Sequence, residues 1–395
     1  MSEPTPFLET LPLSTDCPML TADLPGIGGV MKSQPEDFVV EEIPAYQPCG
    51  DGEHLFLWIE KTNVPADQLG RHLATALGIT PRDLGTAGLK DTHAVTRQFV
   101  SVPRRVESRL SAIDTEGIRL LNATPHQNKL RTGHLRGNRF QVLVREQTAN
   151  WRAGGVSPSV VDGPGLIAHT TGGLTPPARQ EELSATLAIA ERLRQTGVPN
   201  YYGSQRFGNK NSTLKLGLKL LTEARSGSDV EAKKPNRRFL HRLALSAAQS
   251  WLFNNVLAER LQEGLLDRVL LGDIMQKCES GGLFDVRDLA AEQPRFEARE
   301  TVLTGPMFGP KMKAALHESA AREQRVLAAS GVTLDGFRRF GQLAEGTRRP
   351  LLIWPGDLQV RETPDGLLFE FSLPSGAYAT VVLREFMKND EFSGE

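Results

Sequence analysis

The chain has 395 residues, of which 39% are hydrophobic and 24% charged, which suits a soluble globular protein with room for two domains of ordinary size. Its formal net charge of -1 gives no sign of a polyanionic partner at the level of the whole chain. No apolar run reaches the roughly 18 residues that span a bilayer. The first residues lack the basic and apolar segments of a signal peptide, so neither a membrane association nor a secretion signal is expected.

The three cysteines, Cys17, Cys49 and Cys278, are scattered along the chain and form no CxxC pair. We therefore expect neither a disulfide framework nor a metal site. This cysteine usage fits a reducing cytoplasm. A glycine-rich phosphate loop of the P-loop or dinucleotide type is also missing from the sequence, so no nucleotide cofactor is expected. We expect a cytoplasmic monomer.

The first half of the chain reads as strands with one helix. Residues 1–26 are rich in Pro, Ser and Thr and are predicted to be a flexible N-terminal segment. Leucines recur every four residues after Pro65, which predicts a core-facing helix that ends at Gly78. Apolar and β-branched content predicts strands, at 35–43, 52–61, 99–102, 118–121 and 139–144.

The second half is mainly helical until the chain returns to strands near its end. Residues 151–177 are rich in Gly, Ser and Pro and are predicted to be a flexible loop. Helices are predicted at 181–194, within 213–271 and at 312–329, with a Gly/Pro turn at 304–310. Strands at 351–354 and 367–373 precede a helix at 381–387. This order predicts an α+β protein whose mixed domain is interrupted by a largely helical insert.

Basic residues concentrate between residues 81 and 145. Twelve Lys and Arg stand against five acids there: Arg82, Lys90, Arg97, Arg104, Arg105, Arg109, Arg119, Lys129, Arg131, Arg136, Arg139 and Arg145 against Asp83, Asp91, Glu107, Asp114 and Glu116. A neutral protein with a local basic stripe has the charge pattern of a nucleic-acid groove. The alternative is a solvated basic face without a function.

Asp91 lies within this basic stretch, in a loop that leads into the 99–102 strand. A Gly turn, Lys90 and several hydrogen-bonding side chains surround it in residues 86–98. A loop that enters a strand can hold a carboxylate at the floor of a cleft, with a sheet as its support. The alternative is a solvated aspartate in an ordinary turn.

Two further segments have the side chains of an RNA surface. Residues 126–140 contain basic groups and two glycines without any acid, and their many donors suit phosphate oxygens and base edges. Residues 197–208 interleave aromatic rings with Arg, Asn and Gln, which suits base stacking and phosphate pairing. A basic surface hairpin and a buried interdomain hinge are the respective alternatives.

Taken together and in order, five segments resemble the TruD family of pseudouridine synthases: 35–41, 88–98, 137–140, 199–208 and 373–380. Two departures are a tyrosine at 202, where the family is expected to have phenylalanine, and a longer 151–177 loop. The resemblance implies a pseudouridine synthase catalytic domain with a mixed or antiparallel sheet, formed by residues 27–197 and 351–395. A family-specific, largely helical insertion domain at 198–350 would interrupt it.

The resemblance also implies an activity and site residues. The expected reaction is isomerisation of the uridine at position 13 of tRNA, with Asp91 as the catalytic carboxylate. Lys32 would be its basic partner, Asn138 its hydrogen-bond orienter, and Phe140 the ring stacked on the target uracil. RNA contacts are expected from Lys90, His93, Arg97, Gln98, Lys129, Arg131, His134, Arg139, Asn200, Tyr202, Gln205, Arg206 and Phe207.

The implied chemistry needs no cofactor, because isomerising uridine to pseudouridine involves no net oxidation or hydrolysis. An ionised carboxylate can attack the sugar or the base, or support departure of uracil, and the sequence does not choose among these routes. A nearby cation favours the ionised form, and either Lys32 or Lys90 can supply it.

Two other functions are consistent with parts of this pattern. One is a non-catalytic RNA-binding or RNA-folding module that uses the same basic groove. The other is a glycosidase with Glu53 and Asp91 as paired carboxylates, since that class uses two acids flanking the bond that breaks. No glycosidase motif accompanies Glu53 and Asp91.

Overall fold

A computed structural model of the chain describes residues 14–145, 177–222 and 235–389. Within these ranges the strands are β1 (Val30–Met31), β2 (Phe38–Pro44), β3 (His54–Thr62), β4 (Gly85–Thr86), β5 (Val95–Pro103), β6 (Ile118–His126), β7 (Leu135–Arg145), β8 (Val198–Pro199), β9 (Ile274–Lys277), β10 (Leu283–Asp285), β11 (Thr301–Met307), β12 (Thr347–Pro350), β13 (Leu352–Ile353), β14 (Gly356–Thr363) and β15 (Gly366–Pro374). The helices are α1 (Ala66–Leu77), α2 (Pro177–Thr196), α3 (Ser212–Thr222), α4 (Pro235–Gln262), α5 (Leu289–Glu297), α6 (His317–Ala329), α7 (Leu334–Arg338) and α8 (Ala379–Met387). The predicted α+β class is confirmed.

One large mixed sheet organises the part of the chain that carries Asp91. Its strands follow the order β14-β15-β7-β2-β5-β3-β6, with β1 on β7 and β4 on β5. Neighbours in this sheet run antiparallel, except that β2 and β5 run parallel. Strand β7 is central, because it pairs with β2 on one side and β15 on the other.

The two parallel strands separate soon after they pair. Their ladder covers Val39–Glu41 and Val95–Arg97, and farther along β5 pairs instead with β4, through Val100 and Ser101. We call this divergence of β2 and β5 the fork. Residues 87–94 connect β4 to β5 and therefore run close to the fork. Asp91 lies in this connection.

Two clusters of apolar side chains pack against the sheet. The α1 leucines, Leu69, Leu73 and Leu77, are buried in the same cluster as Leu57 and Ile59 of β3, as the four-residue spacing predicts. Helix α1 ends at Gly78, which has the left-handed φ of 63° that favours glycine. A second cluster joins α2 and α8 to β7 and β15. The sheet is therefore rigidly supported where it carries the loop.

The predicted insert is helical at its centre but also contains a sheet. Helices α3 and α4 pack so closely that a Cβ on Gly217 would lie 2.0 Å from the carbonyl oxygen of Ala244. A four-stranded sheet, β10-β9-β11-β12, lies in the same region. Sequence reasoning did not predict it, and interpreted 304–310 as a turn. Pro306 is accommodated because it pairs only with Arg348 of β12, past the point where β9 pairs with β11.

The chain enters and leaves the predicted insert at one place. Strand β8 pairs with β13, so Val198 lies opposite Ile353 and Pro199 opposite Leu352. The Asn200 side-chain amide also donates to the carbonyl oxygen of Pro350, over 2.9 Å. The predicted boundaries at 198 and 350 lie beside this crossing and stay predictions.

Residues 14–26 make specific contacts, although composition predicts a flexible segment. The backbone N–H groups of Leu20 and Thr21 each donate to the buried carboxylate of Glu385 on α8, over 3.0 Å. Trp251 of α4 donates its indole N–H to the carbonyl oxygen of Ser14, over 3.0 Å. A buried carboxylate requires donors, and these come from a segment whose composition gave no sign of them.

Residues 151–176 of the predicted loop lie outside the described residues, and Pro177 begins α2. None of the helices in residues 14–145, 177–222 and 235–389 is long and apolar enough to cross a membrane.

Candidate active site

A pocket of about 400 Å³ opens beside the fork. The β2 and β7 strands contribute Phe38, Val40, Asn138 and Phe140 to its lining, and the 87–94 connection contributes Asp91. Residues 375–380, from the connection between β15 and α8 and the first turn of α8, close another side. With Gln205, the pocket brings together five chain segments, and three of the four residues expected to act in catalysis line it.

Asp91 is paired with Lys32, the fourth expected catalytic residue. The Lys32 Nζ atom lies 3.1 Å from Asp91 Oδ1, and the two side chains are 20% and 38% exposed, respectively. The same ammonium lies 4.1 Å from the centre of the Phe38 ring. Lys32 itself has a left-handed φ of 60°, a backbone conformation that non-glycine residues adopt at some cost. Of the two lysines that sequence left open, the one that contacts Asp91 is Lys32.

A second lysine holds the Asp91 backbone. Lys61 of β3 is fully buried, and its Nζ donates to the carbonyl oxygens of Asp91, over 2.5 Å, and Val64, over 2.8 Å. Burial lowers the pKa of Lys61 to about 8, although the negative charge of Asp91 opposes this change. Sequence reasoning missed Lys61, which it placed at the end of the predicted strand 52–61 without a role.

Lys90 points into the fork and not toward Asp91. Its Nζ lies 3.1 Å from Oε2 of Glu42, and both side chains are almost completely buried. Burial raises the pKa of Glu42, and the positive charge of Lys90 opposes that rise. Lys90 is thus placed as an anchor of the loop on β2, while Lys61 anchors the next residue on β3. The prediction that Lys90 contacts RNA does not agree with its burial.

Several polar atoms in and around this buried ion pair lack a hydrogen bond of good geometry. Both carboxylate oxygens of Glu42, Thr96 Oγ1, Gln98 Oε1 and Asn138 Oδ1 are buried and accept or donate no hydrogen bond of good geometry among the described residues. Glu42 and Asn138 are opposite each other in the β2–β7 ladder, and Thr96 is opposite Lys61. Buried polar groups in proteins are usually hydrogen-bonded, so such a cluster marks a place where function competes with stability.

Strand alternation separates the remaining basic candidates from the pocket. Successive side chains of a strand point to opposite faces, so Arg97 and Arg139 face away from Thr96, Asn138 and Phe140. Arg97 forms ion pairs with Glu60, at 2.9 Å, and with Glu41, at 3.4 Å. Arg139 is exposed. These two arginines are available to an RNA only outside the pocket. Gln98, which is 2% exposed, is not available in this structure.

Other RNA candidates gather on the β6–β7 hairpin. Lys129, Arg131 and His134 line one open depression of about 510 Å³ together with Tyr46 and His126. The Tyr46 hydroxyl lies 2.7 Å from His134 Nδ1, and the Tyr46 ring stacks on His126 with centroids 5.2 Å apart. Sequence reasoning missed Tyr46, which has no local signal; His126 begins the 126–140 segment predicted as an RNA surface but was not named as a contact. His93 is exposed, and its Nδ1 lies 2.9 Å from Asn63 Oδ1.

The aromatic segment at 197–208 is mainly interior. Phe207 has no exposed surface and Asn200 is 5% exposed, so neither faces solvent as an RNA contact requires. The Arg349 guanidinium lies 4.1 Å from the centre of the Tyr202 ring and also donates to Asn200 Oδ1, over 2.6 Å. The composition of this segment therefore reflects the packed hinge that sequence analysis kept as the alternative.

Arg206 and Gln205, both in the 197–208 segment, have different surroundings. Arg206 donates to the hydroxyls of Ser246 and Ser250 on α4, so its guanidinium is engaged within the protein. Gln205 is exposed and lines the pocket that contains Asp91. Of the five RNA candidates in this segment, Gln205 alone reaches that pocket.

Metal and paired-carboxylate chemistry find no support in this part of the molecule. The described residues contain no group of three or more His, Cys, Asp or Glu side chains arranged to hold a metal ion. Asp91 contributes the carboxylate of the pocket lining, and Glu53 is not part of that lining. The glycosidase hypothesis therefore lacks its second acid among the described residues.

Comparison with known proteins agrees with this architecture. The family model described as tRNA pseudouridine synthase D (TruD) matches residues 14–157, 175–228 and 218–386. A relative named tRNA pseudouridine synthase D from Anaeromyxobacter sp. (strain Fw109-5) is 42% identical over 375 residues, covering 95% of this chain and 97% of the relative. One of the same name from Thermus thermophilus is 40% identical, covering 94% and 92%.

A solved structure shows the same fold. The putative tRNA pseudouridine synthase D of Methanosarcina mazei superposes with a TM-score of 0.69 at 22% identity, covering 95% of this chain and 97% of that one. The fold and the sequence matches together define an isomerase. The chain belongs to the TruD family, as the resemblance in its five segments predicted.

Proposed function

We propose that this protein converts a uridine of tRNA, the one at position 13 by resemblance, to pseudouridine, with Asp91 as the catalytic carboxylate. The observation that supports this role most directly is that Asp91 pairs with Lys32 while lining one pocket with Asn138 and Phe140. The relatives named as tRNA pseudouridine synthases support the substrate class. A tRNA-modifying activity also fits the expected cytoplasmic location.

The substrate uridine must leave its base stack before it enters the pocket, which costs a few kcal/mol. Stacking on an aromatic ring returns about 1–3 kcal/mol of that cost. Phe140 is the proposed ring, although it is 5% exposed and its centroid lies 5.5 Å from that of Phe371. It therefore offers the uracil an edge or part of one face, against a backing of packed aromatic side chains.

Asp91 is suited to act on the sugar–base linkage because its carboxylate is held but not enclosed. Lys32 pairs with one carboxylate oxygen, Oδ1, which leaves Oδ2 for the substrate. Lys61 and Lys90 hold the backbone on both sides of the fork. A carboxylate fixed in this way can act as a nucleophile or stabilise positive charge that develops on the sugar.

The isomerisation conserves every atom of the uridine. The N-glycosidic bond breaks, the uracil turns within the pocket, and a carbon–carbon bond to the same ribose carbon forms. The proton on the newly bonded carbon leaves, and the ring nitrogen that was attached to the sugar gains one. The pocket must retain the detached base during this rotation, and Asn138 at its wall is proposed to orient either the base or Asp91.

A non-catalytic RNA-binding module remains the competing function, and one substitution separates the two. Asp91→Asn keeps the size and polarity of the side chain but removes its charge. We expect it to abolish pseudouridine formation in unmodified tRNA while changing the dissociation constant of the tRNA by less than about threefold. Pseudouridine mapping of the reacted tRNA and a filter-binding assay measure the two quantities.

Asp83→Asn is the matched control, because Asp83 lies in the same basic stretch, bonds to Thr80 and does not line the pocket. It should retain full activity. Product formation by Asp91→Asn at the wild-type rate would remove Asp91 from catalysis. A wild-type protein that binds tRNA without making pseudouridine would favour the module.

A further inference from the structure

A second, smaller pocket lies against the catalytic one. Its volume is about 210 Å³, and it shares Gln205, Tyr378 and Thr380 with the pocket that contains Asp91. A cavity of this size is below the roughly 300–1,000 Å³ typical of sites for drug-sized ligands. It suits a single planar ring system, located within reach of whatever occupies the catalytic pocket.

Two polar side chains in this smaller pocket have no partner among the described residues. Tyr201 is 3% exposed, and its buried hydroxyl makes no hydrogen bond to the described part of the chain. Arg384 of α8 is half-buried and forms no hydrogen bond or ion pair through its side chain with those residues. A buried hydroxyl without a hydrogen-bond partner is costly, so the Tyr201 hydroxyl points to a ligand, and the half-buried Arg384 guanidinium beside it can reach the same ligand.

The other lining groups restrict the chemistry of that ligand. Asp16 contributes a carboxylate, which disfavours a phosphate. Tyr202 and Tyr378 contribute aromatic rings. The Cys17 thiol is held neutral, because burial raises its pKa to about 12, and so it is a wall and not a nucleophile. A mixed donor and acceptor edge with flat apolar faces is the recognition chemistry of a nucleobase.

We infer that this pocket binds the base of a nucleotide adjacent to the target uridine, turned out of the RNA together with it. The inference rests on the proposed function for the identity of the substrate. Tyr201 and Arg384 would donate to carbonyl or ring-nitrogen acceptors of the base, and Asp16 would accept from an amino or imino group. The pocket would thereby select substrates by the sequence beside the target and not only by tRNA shape.

The test is a double-mutant cycle that combines changes in the protein with changes in the RNA substrate. One tRNA is prepared intact and in two altered forms, in which the nucleotide 5′ or 3′ of the mapped target uridine is replaced by an abasic ribose. Wild-type protein is compared with the Tyr201→Phe/Arg384→Met variant, and kcat/KM for pseudouridine formation is measured on all three RNAs. Arg338→Met, which alters an exposed arginine paired with Asp335 on α7, is the control.

We expect the wild-type protein and Arg338→Met to lose about tenfold or more in kcat/KM on one of the two abasic RNAs, from lost stacking and hydrogen bonds. The double variant should show a penalty at least about threefold smaller on that same RNA, because the hydrogen bonds are already lost and only stacking on Tyr202 and Tyr378 remains to be removed. The inference would be overturned if base removal lowered kcat/KM by the same factor in the double variant as in wild type. It would also be overturned if base removal at neither position lowered kcat/KM. Absence of product from wild-type protein on intact tRNA would instead contradict the proposed function.

A second measurement does not depend on the variants. A photoreactive 4-thiouridine is placed at the position where base removal costs activity, and the RNA is crosslinked to wild-type protein. We expect the crosslinked peptide to contain Tyr201 and Tyr202, or else Tyr378. A crosslink confined to the hairpin residues Lys129–His134 would show that the base lies outside the pocket and would overturn the inference.

Discussion

Two buried ion pairs differ in how completely their carboxylates are hydrogen-bonded. In the predicted insert, Arg260 donates to both oxygens of Asp273, over 2.8 and 2.7 Å, and Ser319 and the Leu270 N–H donate to the same carboxylate. Although burial acts to raise it, the pKa of Asp273 is lowered overall by these hydrogen bonds and by the charge of Arg260.

The Glu42–Lys90 pair at the fork is the opposite case. Neither Glu42 oxygen accepts a hydrogen bond of good geometry from a described residue, and burial raises the pKa of Glu42 against the opposing charge of Lys90. Because both oxygens of Asp273 are hydrogen-bonded within the protein, the Arg260–Asp273 pair offers no free acceptor to a substrate, and we interpret it as a stabilising pair. The Glu42–Lys90 pair lies beside the pocket that contains Asp91, so we interpret it as an anchor of the Asp91 loop that can change its hydrogen bonds when a substrate binds.

The largest expected effect is on the free energy of unfolding, to which the Arg260–Asp273 pair should contribute more than the Glu42–Lys90 pair. Arg260→Met leaves Asp273 buried without the partner that lowers its pKa, and should lower the free energy of unfolding by about 3–5 kcal/mol. Lys90→Met should cost less, because Glu42, whose pKa is already raised, can take up a proton when its partner is lost. Urea unfolding at pH 7 measures both changes.

The effects of these two substitutions on activity should follow the reverse order of their effects on stability. Folded Arg260→Met protein should keep its kcat, whereas Lys90→Met should lose at least about tenfold, because the residue next to Asp91 is no longer fastened to β2. Arg268→Met, an exposed change in the same part of the insert as Arg260, should alter neither quantity. Equal kcat losses in Arg260→Met and Lys90→Met would remove the distinction between the pairs.

Lys61 tests whether the Asp91 loop must be held from both sides. Lys61→Met keeps the length of the side chain but removes the donor to the Asp91 carbonyl oxygen. We expect kcat to fall about 100-fold, the effect of misplacing a catalytic group by around 1 Å, with the tRNA dissociation constant changed less than about twofold. Single-turnover kinetics and filter binding give the two values.

The control for Lys61 is a neighbour on the same strand and face. Ile59 is completely buried, and Ile59→Ala should destabilise the protein by about 2–5 kcal/mol through the cavity that it leaves. Because Ile59 does not contact Asp91, its variant should keep kcat at a temperature where both proteins are folded. A similar kcat loss in the two variants would mean that Lys61 acts only through stability.

These residues also show what local sequence can predict and what it cannot. The Asp91 loop and α1 were predictable, because turn residues and a four-residue leucine spacing are local signals. Lys61 and Glu42 were not, because each is one charged residue in a strand. Only the register with Thr96 and Asn138 puts them on the covered face. The pairing of β8 with β13 likewise decides that Asn200 is interior, and packing against α3 and α4 decides the same for Phe207; the composition of the segment left both open.

The smallest expected effect is a pH dependence of stability that belongs to Lys61 alone. The folded-state pKa of Lys61 is about 8, below its value near 10.4 in an unfolded chain. Between these values the unfolded state binds more protons, so the free energy of unfolding should rise with pH, by at most about 1.4 kcal/mol per pH unit. The difference in unfolding free energy between wild type and Lys61→Met should therefore grow in favour of wild type from pH 8 to 10. A constant difference across that range would show that the Lys61 ammonium is stabilised by its two carbonyl partners as well as water stabilises it.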